Sequence, residues 1–321
     1  MADTSINDAH LLSPRRLIVQ LVGFVIGAAL LIWCIKLAIG GGDWSKLSDA
    51  NVGLLGVLLG CTCVSLFING STFWLTVQPL SRLPFWDLQR LNLACNLLNY
   101  APIRAGAIAR VAYHMRVDRI SFLQIAAWFG SILYIMAIVV GACLTATMMR
   151  PSLDWLWAMI VTVLLIVGGV ATRVIISHRL FAKYGQGIDR ILRSHRVLWG
   201  AMVLRLLDLS AFLGRMWAAA TILELDLPTH HILILAVVAF TARLIPFGRV
   251  GFAEAAVTAL AARLAASGLQ GASIEAMLND SGPWAQLALV ESAGEALILI
   301  PSGAIAILWL RRRWRKARRS A

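Results

Sequence analysis

Six stretches of the chain (17–39, 52–77, 121–147, 154–176, 199–222 and 284–310) are each long and apolar enough to cross a lipid bilayer, which takes about 20 residues of helix. This pattern leaves few folds open. Hydrocarbon offers no water to a backbone amide, so a spanning segment must satisfy its own hydrogen bonds, as a helix or in a closed barrel. Runs of this length read as helices. The residues are 60% hydrophobic and 14% charged, where a soluble domain carries about 25% charge. The expected fold is all-α, a polytopic membrane helical bundle. Two further hydrophobic segments, roughly 85–117 and 229–266, are interrupted at Pro102 and at Pro246–Gly251. If both are Pro/Gly-broken re-entrant hairpins there are six full spans; if they cross, there are eight. Loop charge does not separate these two arrangements.

The net charge of +13 is gathered beside the spans. Arg15 and Arg16 precede the first. The region 78–119 around the first break carries Arg82, Arg90, Arg104, Arg110, Arg116 and Arg119, a further cationic loop covers 177–198, and Arg311 to Arg319 hold seven cations. The loops at 43–49, 150–154, 224–226 and 275–280 are poor in Lys and Arg. By the positive-inside rule the cationic loops and both termini are cytoplasmic. The first broken segment then enters from the cytoplasm and the second from the outside. The chain divides into a cytoplasmic segment 1–16, a membrane domain 17–310 and a basic cytoplasmic tail 311–321, and the compartment is a cell inner or plasma membrane. A basic chain of this kind can also bind nucleic acid, but here the cations abut apolar runs, and no nucleic-acid partner is expected. Many of the twelve tryptophans flank apolar runs and suit the membrane interface. The five cysteines lie in apolar runs with no His or carboxylate at metal-ligand spacing, which reads as inert thiols, with no metal and no cofactor.

Charges inside the apolar runs carry the functional signal, because each costs roughly 2.5–3.5 kcal/mol at mid-bilayer on insertion scales. Arg205 and Asp208 are three residues apart and Glu291 and Glu295 four apart, so each pair shares a helix face. With Arg215 and Arg243 they form a candidate charge network. Such a network is either glue between helices or a relay or gate that exchanges partners. The two breaks carry a second set of candidates. Pro102-Ile-Arg-Ala-Gly106 and Pro246-Phe-Gly-Arg-Val-Gly251 each place an arginine among helix-breaking residues. Opposed broken helices that meet near the midplane are a common way to build a transporter site, with helix ends and guanidinium groups replacing water around an anion. Arg104, Gly106, Arg110, Gly248, Arg249, Gly251 and Glu254 are therefore candidate substrate-binding residues. Against this stand plainer roles, Arg104 and Arg110 as topogenic charges and Glu254 as a first-turn carboxylate or a partner of Arg249. Asn96 and Asn99 precede the first break and can cap freed backbone groups. There is no Walker loop, no His-Glu-x-x-His and no credible Ser/His/Asp set, so no catalytic residue is assigned.

Two segments, Asn99-Tyr-Ala-Pro-Ile-Arg-Ala-Gly-Ala-Ile-Ala-Arg110 and Leu244-Ile-Pro-Phe-Gly-Arg-Val-Gly-Phe-Ala-Glu254, resemble the two turn motifs of the transmembrane domain family of lysylphosphatidylglycerol synthase, also called the flippase-like domain. The resemblance runs over roughly 15–310. It departs from the family pattern at Ala107, where a Glu is usual, and near Phe129-Gly130, where a Glu-Arg pair is usual. An arginine usual early in the last span is also missing. The resemblance implies translocation of a lipid with a polar headgroup between leaflets, with anionic membrane lipids as partners. In fused relatives this domain precedes a soluble aminoacyl-transfer domain. The chain stops soon after its last span, so aminoacyl transfer is not expected of it. Two alternatives remain at this stage, a membrane-embedded transferase acting on a lipid phosphate and an accessory scaffold for a lipid-synthesis enzyme in glycolipid, hopanoid or phospholipid biosynthesis.

Overall fold

A computed structural model describes residues 14–101, 105–177, 187–243, 251–266 and 281–319. Among these it contains helices and no strand. The helices are α1 (Pro14–Gly41), α2 (Ser45–Ser48), α3 (Val52–Val77), α4 (Phe85–Leu98), α5 (Ala105–Arg116), α6 (Phe122–Met149), α7 (Trp155–Ser177), α8 (Ile188–Arg193), α9 (His195–Ile222), α10 (Thr229–Ala242), α11 (Phe252–Ala266) and α12 (Gly282–Arg319). Six of them, α1, α3, α6, α7, α9 and α12, have the length and hydropathy of membrane spans. Helices α4, α5, α10 and α11 have 14, 12, 14 and 15 residues. At about 1.5 Å per residue each falls short of the roughly 30 Å hydrocarbon core. The described helices therefore fit six spans and two broken hairpins, α4–α5 and α10–α11.

Span ends are set by local chemistry. Asn51 Oδ1 accepts from Gly53 N at 2.7 Å and starts α3, Ser121 and Gln124 form a capping box on α6, and Asp154 accepts from Trp157 N at 3.0 Å at the start of α7. Arg150 beside Asp154 holds that carboxyl well below the usual carboxylate range. Between caps the sequence is apolar on every face, as bilayer helices are. Val163, Ile166, Val170 and Val174 on α7 and Ile18, Val22, Val25 and Ile32 on α1 stand exposed on the outer surface, where lipid would cover them.

Antiparallel α3 and α9 form the central seam. Cys61 faces Gly214, Ser65 bonds Asp208 and Leu75 faces Gly200, so the pairing keeps nearly one register along both helices. The small glycine surfaces allow this approach. A second antiparallel pair joins α4 to α12, with Leu97 against Gly303 and Asp87 ion-paired to Arg313. At one end of the bundle Gly41 and Gly282 touch backbone to backbone, Gln286 donates to Asp43 O at 2.8 Å and Lys46 pairs with Glu224 at 3.1 Å. At the other end are Asp87, Asp118, Trp309 and Arg313. The first hairpin starts from this second end and the second hairpin from the first, so the two insert in opposite senses.

Element order discloses an inverted repeat. Span, span, hairpin, span occurs as α1, α3, α4–α5, α6 and again as α7, α9, α10–α11, α12. Three spans per unit invert the second unit relative to the first. Helices α4 and α10 are the same length, each follows a proline at its N-cap (Pro84, Pro228), and each of those prolines lies 18 positions before the proline of the break. The spacing was present in the sequence but is visible only once helix boundaries are known. The two units are not packed alike. Helix α4 lies along α12 and α11 is wedged among α1, α10 and α12, whereas α10 touches α6 lightly and α5 has few neighbours beyond α4.

Gly251 is the tightest joint of the second hairpin. Its φ is +86°, and a Cβ there would lie 1.7 Å from Gly27 O on α1. Both the dihedral and the space exclude a side chain. Gly251→Ala should destabilise the protein by at least about 2 kcal/mol, read as a lowered unfolding temperature in detergent. Gly56→Ala, at a position with open space around it, should leave that temperature unchanged.

Candidate functional site

Helix midpoints, the described residues on either side of the first break and before the second, and a cavity of about 310 Å³ coincide. Ser65 lies at the middle of α3, Asp208 at the middle of α9 and Met136 at the middle of α6, and all three line the cavity. The first hairpin adds Asn96 and Asn99 before its break and Gly106, Ala107 and Arg110 after it; the second adds Phe240 and Arg243. Glu295 of α12 closes the floor. The wall supplied by α6, namely Phe129, Ile132, Leu133 and Met136, is wholly apolar. The volume is within the range of small-ligand sites.

Arg110 is held by neutral partners. Its guanidinium donates to Asn92 Oδ1 at 2.7 Å and stacks 4.0 Å from the ring centre of Phe73. It is 6% exposed, and no carboxylate among the described residues lies within ion-pair distance of it. Around it the hairpin is tightly built. Asn99 Oδ1 accepts from Ala107 N at 3.1 Å and caps α5, and a Cβ on Gly106 would fall 1.8 Å from Cys95 O. Asn99 thus takes the capping role, and Gly106 is required so that α5 can lie directly on α4. Gln89 ties α4 to α3 through Phe67 O at 3.0 Å and Ser71 Oγ at 3.1 Å.

Arg205 donates to Asp208 Oδ2 at 2.9 Å, and Ser65 donates to Asp208 Oδ1 at 2.6 Å. Both carboxylate oxygens are engaged, and Arg205 Nε is buried without a partner. The larger network joins three elements. Arg215 of α9 pairs with Glu291 and, at 3.0 Å, with Glu295 of α12. Arg243, at the tip of the second hairpin, chelates Glu291 at 2.8 and 3.1 Å and pairs with Glu295. Both guanidinium groups stack on Phe212, at 4.6 and 4.5 Å from its centroid. Arg215, Glu291 and Glu295 are at most 2% exposed. Two cations and two carboxylates neutralise each other locally, which is how charge persists at this depth.

Glu254 stands apart from the cavity lining. One of its oxygens accepts from Gly251 N at 2.8 Å, the backward half of a capping box, and the other accepts from Ser292 Oγ at 2.7 Å. It joins α11 to α12, and its local bonds are those of a helix cap. Gly251 packs on α1, away from the cavity lining. Arg104, Gly248 and Arg249, with Pro102 and Pro246, lie outside the described residues. Among the described residues no group of three or more His, Cys, Asp and Glu could hold a metal.

Several partners were not singled out from sequence. Ser65, Asn92 and Phe212 lie on helices whose other residues look alike, and only the packing shows which of them meets a charge. His114 was also missed. It is fully buried, bonds Asp118 at 2.7 Å and meets the edge of Trp128, whose indole donates to Thr76 Oγ1 at 2.7 Å. This group locks α5 to α6 and α3.

Residues 20–277 match the family described as the lysylphosphatidylglycerol synthase TM region. This chain belongs to that family. Comparison with curated proteins and with solved structures gave no match. As a member of the lysylphosphatidylglycerol synthase transmembrane family it keeps both hairpins and five spans within the matched region. Glu291 and Glu295 fall beyond it, so the large charge cluster is assembled across its boundary. At Ala107, where the family pattern has Glu, the structure has a capped backbone amide 3.1 Å from Asn99 Oδ1.

Removing one member of a buried pair strands the other charge. Arg205→Met should cost about 3–5 kcal/mol of stability, and adding Asp208→Leu should recover most of it. Thermal unfolding of the two variants in detergent checks this; equal losses would mean that Arg205 and Asp208 are not energetically coupled.

Proposed function

We propose that this protein moves lipids with anionic headgroups between the leaflets of a cell membrane. One observation carries the reading: two opposed hairpins and three span midpoints meet at a cavity that contains a buried arginine with no carboxylate partner among the described residues. A chain keeps an uncompensated cation at this depth only if something else neutralises it, and a phosphate does so with a geometry that fits guanidinium. The apolar α6 wall suits the part of a lipid next to its headgroup. Orientation with both termini in the cytoplasm follows from the Lys and Arg bias of the loops, and the inner or plasma membrane is the matching compartment. Arg104 and Arg249, which lie outside the described residues, are further candidates for the phosphate by their sequence motifs.

The inverted repeat supports a route for movement. Two equivalent units in unequal packing are what alternating access requires, since exchanging their arrangements turns the site toward the other side. At the cavity the second hairpin is pinned by ion pairs and the first by neutral hydrogen bonds, the first being ion-paired only at its foot, through Asp87 and Arg313. Movement of Arg243 relative to Glu291 and Glu295 would break a local charge balance, so the second hairpin moves only if the partners exchange or move together.

Transfer of a fluorescent anionic phospholipid between leaflets of reconstituted vesicles tests the function. Arg110→Gln should slow transfer at least tenfold, the effect of losing a charge-assisted bond worth about 1.5–3 kcal/mol. Undiminished transfer by a folded Arg110→Gln protein would remove Arg110 from the mechanism. In a background without the native cysteines, a cross-link between Leu133→Cys and Phe240→Cys, which both line the cavity, should stop transfer reversibly. Transfer that continues under full cross-linking would refute the moving hairpin.

A further inference from the structure

We infer that His114 binds a proton together with each anion that the cavity receives, which makes the transport a cotransport of anion and proton. The inference rests on the reading that Arg110 receives the anion. Arg110 and His114 share one face of α5, a turn apart and so about 5.4 Å along its axis. Asp118 follows four residues later, just past the end of the helix. Arg110 lines the large cavity, whereas Asp118 lines a second cavity of about 120 Å³ with Tyr113, Asp87 and Arg313. His114 lies between these two residues on the chain and is fully buried. The backbone after α5 folds back to bring Asp118 to it. Val117 N donates to Tyr113 O at 2.7 Å, Ile120 N donates to His114 O at 3.0 Å, and Arg119 takes a φ of +55°, a conformation uncommon for a residue with a side chain.

His114 Nδ1 lies 2.7 Å from Asp118 Oδ2. An ionised carboxylate only accepts, so Nδ1 carries the hydrogen and donates it, and the neutral ring keeps a lone pair on Nε2. Nε2 is buried with no hydrogen-bond partner among the described residues. A histidine that only fastened helices would fill both nitrogens. This one is arranged as a base: the carboxylate fixes the tautomer and stabilises the imidazolium that a proton on Nε2 creates. The groups that face the ring set the sign of the coupling. Helices α3 and α6 present Thr76 and Trp128 here and carry no charged residue. On α4, Asn92 and Cys95 lie against Arg110, and Asp87 is paired with Arg313 of α12. Tyr113, whose ring meets the imidazole at 5.8 Å, is a phenol and stays neutral below about pH 10. The charges left to act on His114 are Asp118, which favours the imidazolium, and Arg110, which opposes it. An anion on Arg110 cancels that opposition, so anion and proton strengthen each other's binding reciprocally. In the step itself a solvent proton forms an N–H bond at Nε2, the Nδ1 hydrogen stays on Asp118, and a singly charged anion with its proton is electrically neutral.

Isothermal titration calorimetry of the full chain in detergent, run in two buffers of different ionisation heat, counts the protons taken up as a lipid binds. Dihexanoyl phosphatidylglycerol is the probe, because a phosphodiester lacks the ionisation that a monoester has at about pH 6, and any pH dependence then belongs to the protein. Binding should take up protons over the range in which imidazole titrates, about pH 5 to 8. It should be at least about fivefold tighter at the acid end of that range than at the alkaline end. Asp118→Asn keeps an oxygen to accept from Nδ1 but loses the charge that stabilises the imidazolium, and should flatten the dependence to under about twofold. His114→Gln should abolish the uptake. Binding by the parent without proton uptake overturns the inference, as does undiminished uptake in either folded variant. In reconstituted vesicles a lumenal pH dye should report proton movement that accompanies leaflet transfer, and transfer without it overturns the cotransport. Proton-linked binding without any leaflet transfer would leave the linkage at His114 standing and remove the transport reading. No binding at any pH would remove the anion site and the linkage together.

Discussion

Charge neutralisation at the bilayer midplane is the constraint from which the rest of the structure follows. Arg215, Arg243, Glu291 and Glu295 come from the second central helix, the tip of a hairpin and the last span, and none is tolerable there without the others. Their mutual attraction in a medium of low polarity fixes how deeply the hairpin inserts and at which height the last span crosses. Both guanidinium groups lie over the ring of Phe212, so the cluster is packed as well as paired. Once that height is set, the remaining polar groups fall into line: Asp208 a turn or two along α9, Ser65 opposite it, and the cavity in between.

Glycine surfaces and side-chain caps then do the work that solvent would do elsewhere. The hairpin breaks free backbone amides, and the structure answers with Asn99 on one α5 amide and Glu254 on the amide of Gly251. Both hairpins can be this short because their helices touch backbone to backbone, at Gly106 within the first hairpin and at Gly251 between the second hairpin and α1. At the cavity the first hairpin is anchored by neutral groups, with the charge of Arg110 turned to the cavity, while its foot is ion-paired through Asp87 and Arg313. The main chemical difference between the two halves of the repeat is that the second hairpin is ion-paired at the cavity and the first is hydrogen-bonded there.

Much of this was legible in the sequence for a physical reason. A bilayer demands about 20 apolar residues per crossing, so the six spans stand out with ends close to those observed, and intramembrane charges are rare enough to be noticed singly. The pairing of Arg205 with Asp208 follows from helical spacing alone. The partners that are neutral did not stand out. Ser65, Asn92 and Phe212 are unexceptional in apolar helices, and their roles depend on which helix lies opposite. The inverted repeat was only half visible, in the likeness of the two turns, because the conserved quantity is the spacing between prolines at helix starts and breaks, while the intervening residues differ. Glu254 shows the reverse case: a carboxylate beside an arginine turn invites a binding role, whereas its oxygens are engaged by a helix start and by Ser292.

The end of α12 has a further consequence. The helix continues past the hydrocarbon, and there Trp309 lies under both Arg90 and Arg313, while Arg313 pairs with Asp87 at the foot of the first hairpin. Helix and hairpin are thus fastened together outside the membrane. Load applied to the helix terminus at Arg319 is carried to the hairpin foot through under two turns of helix, about 9 Å.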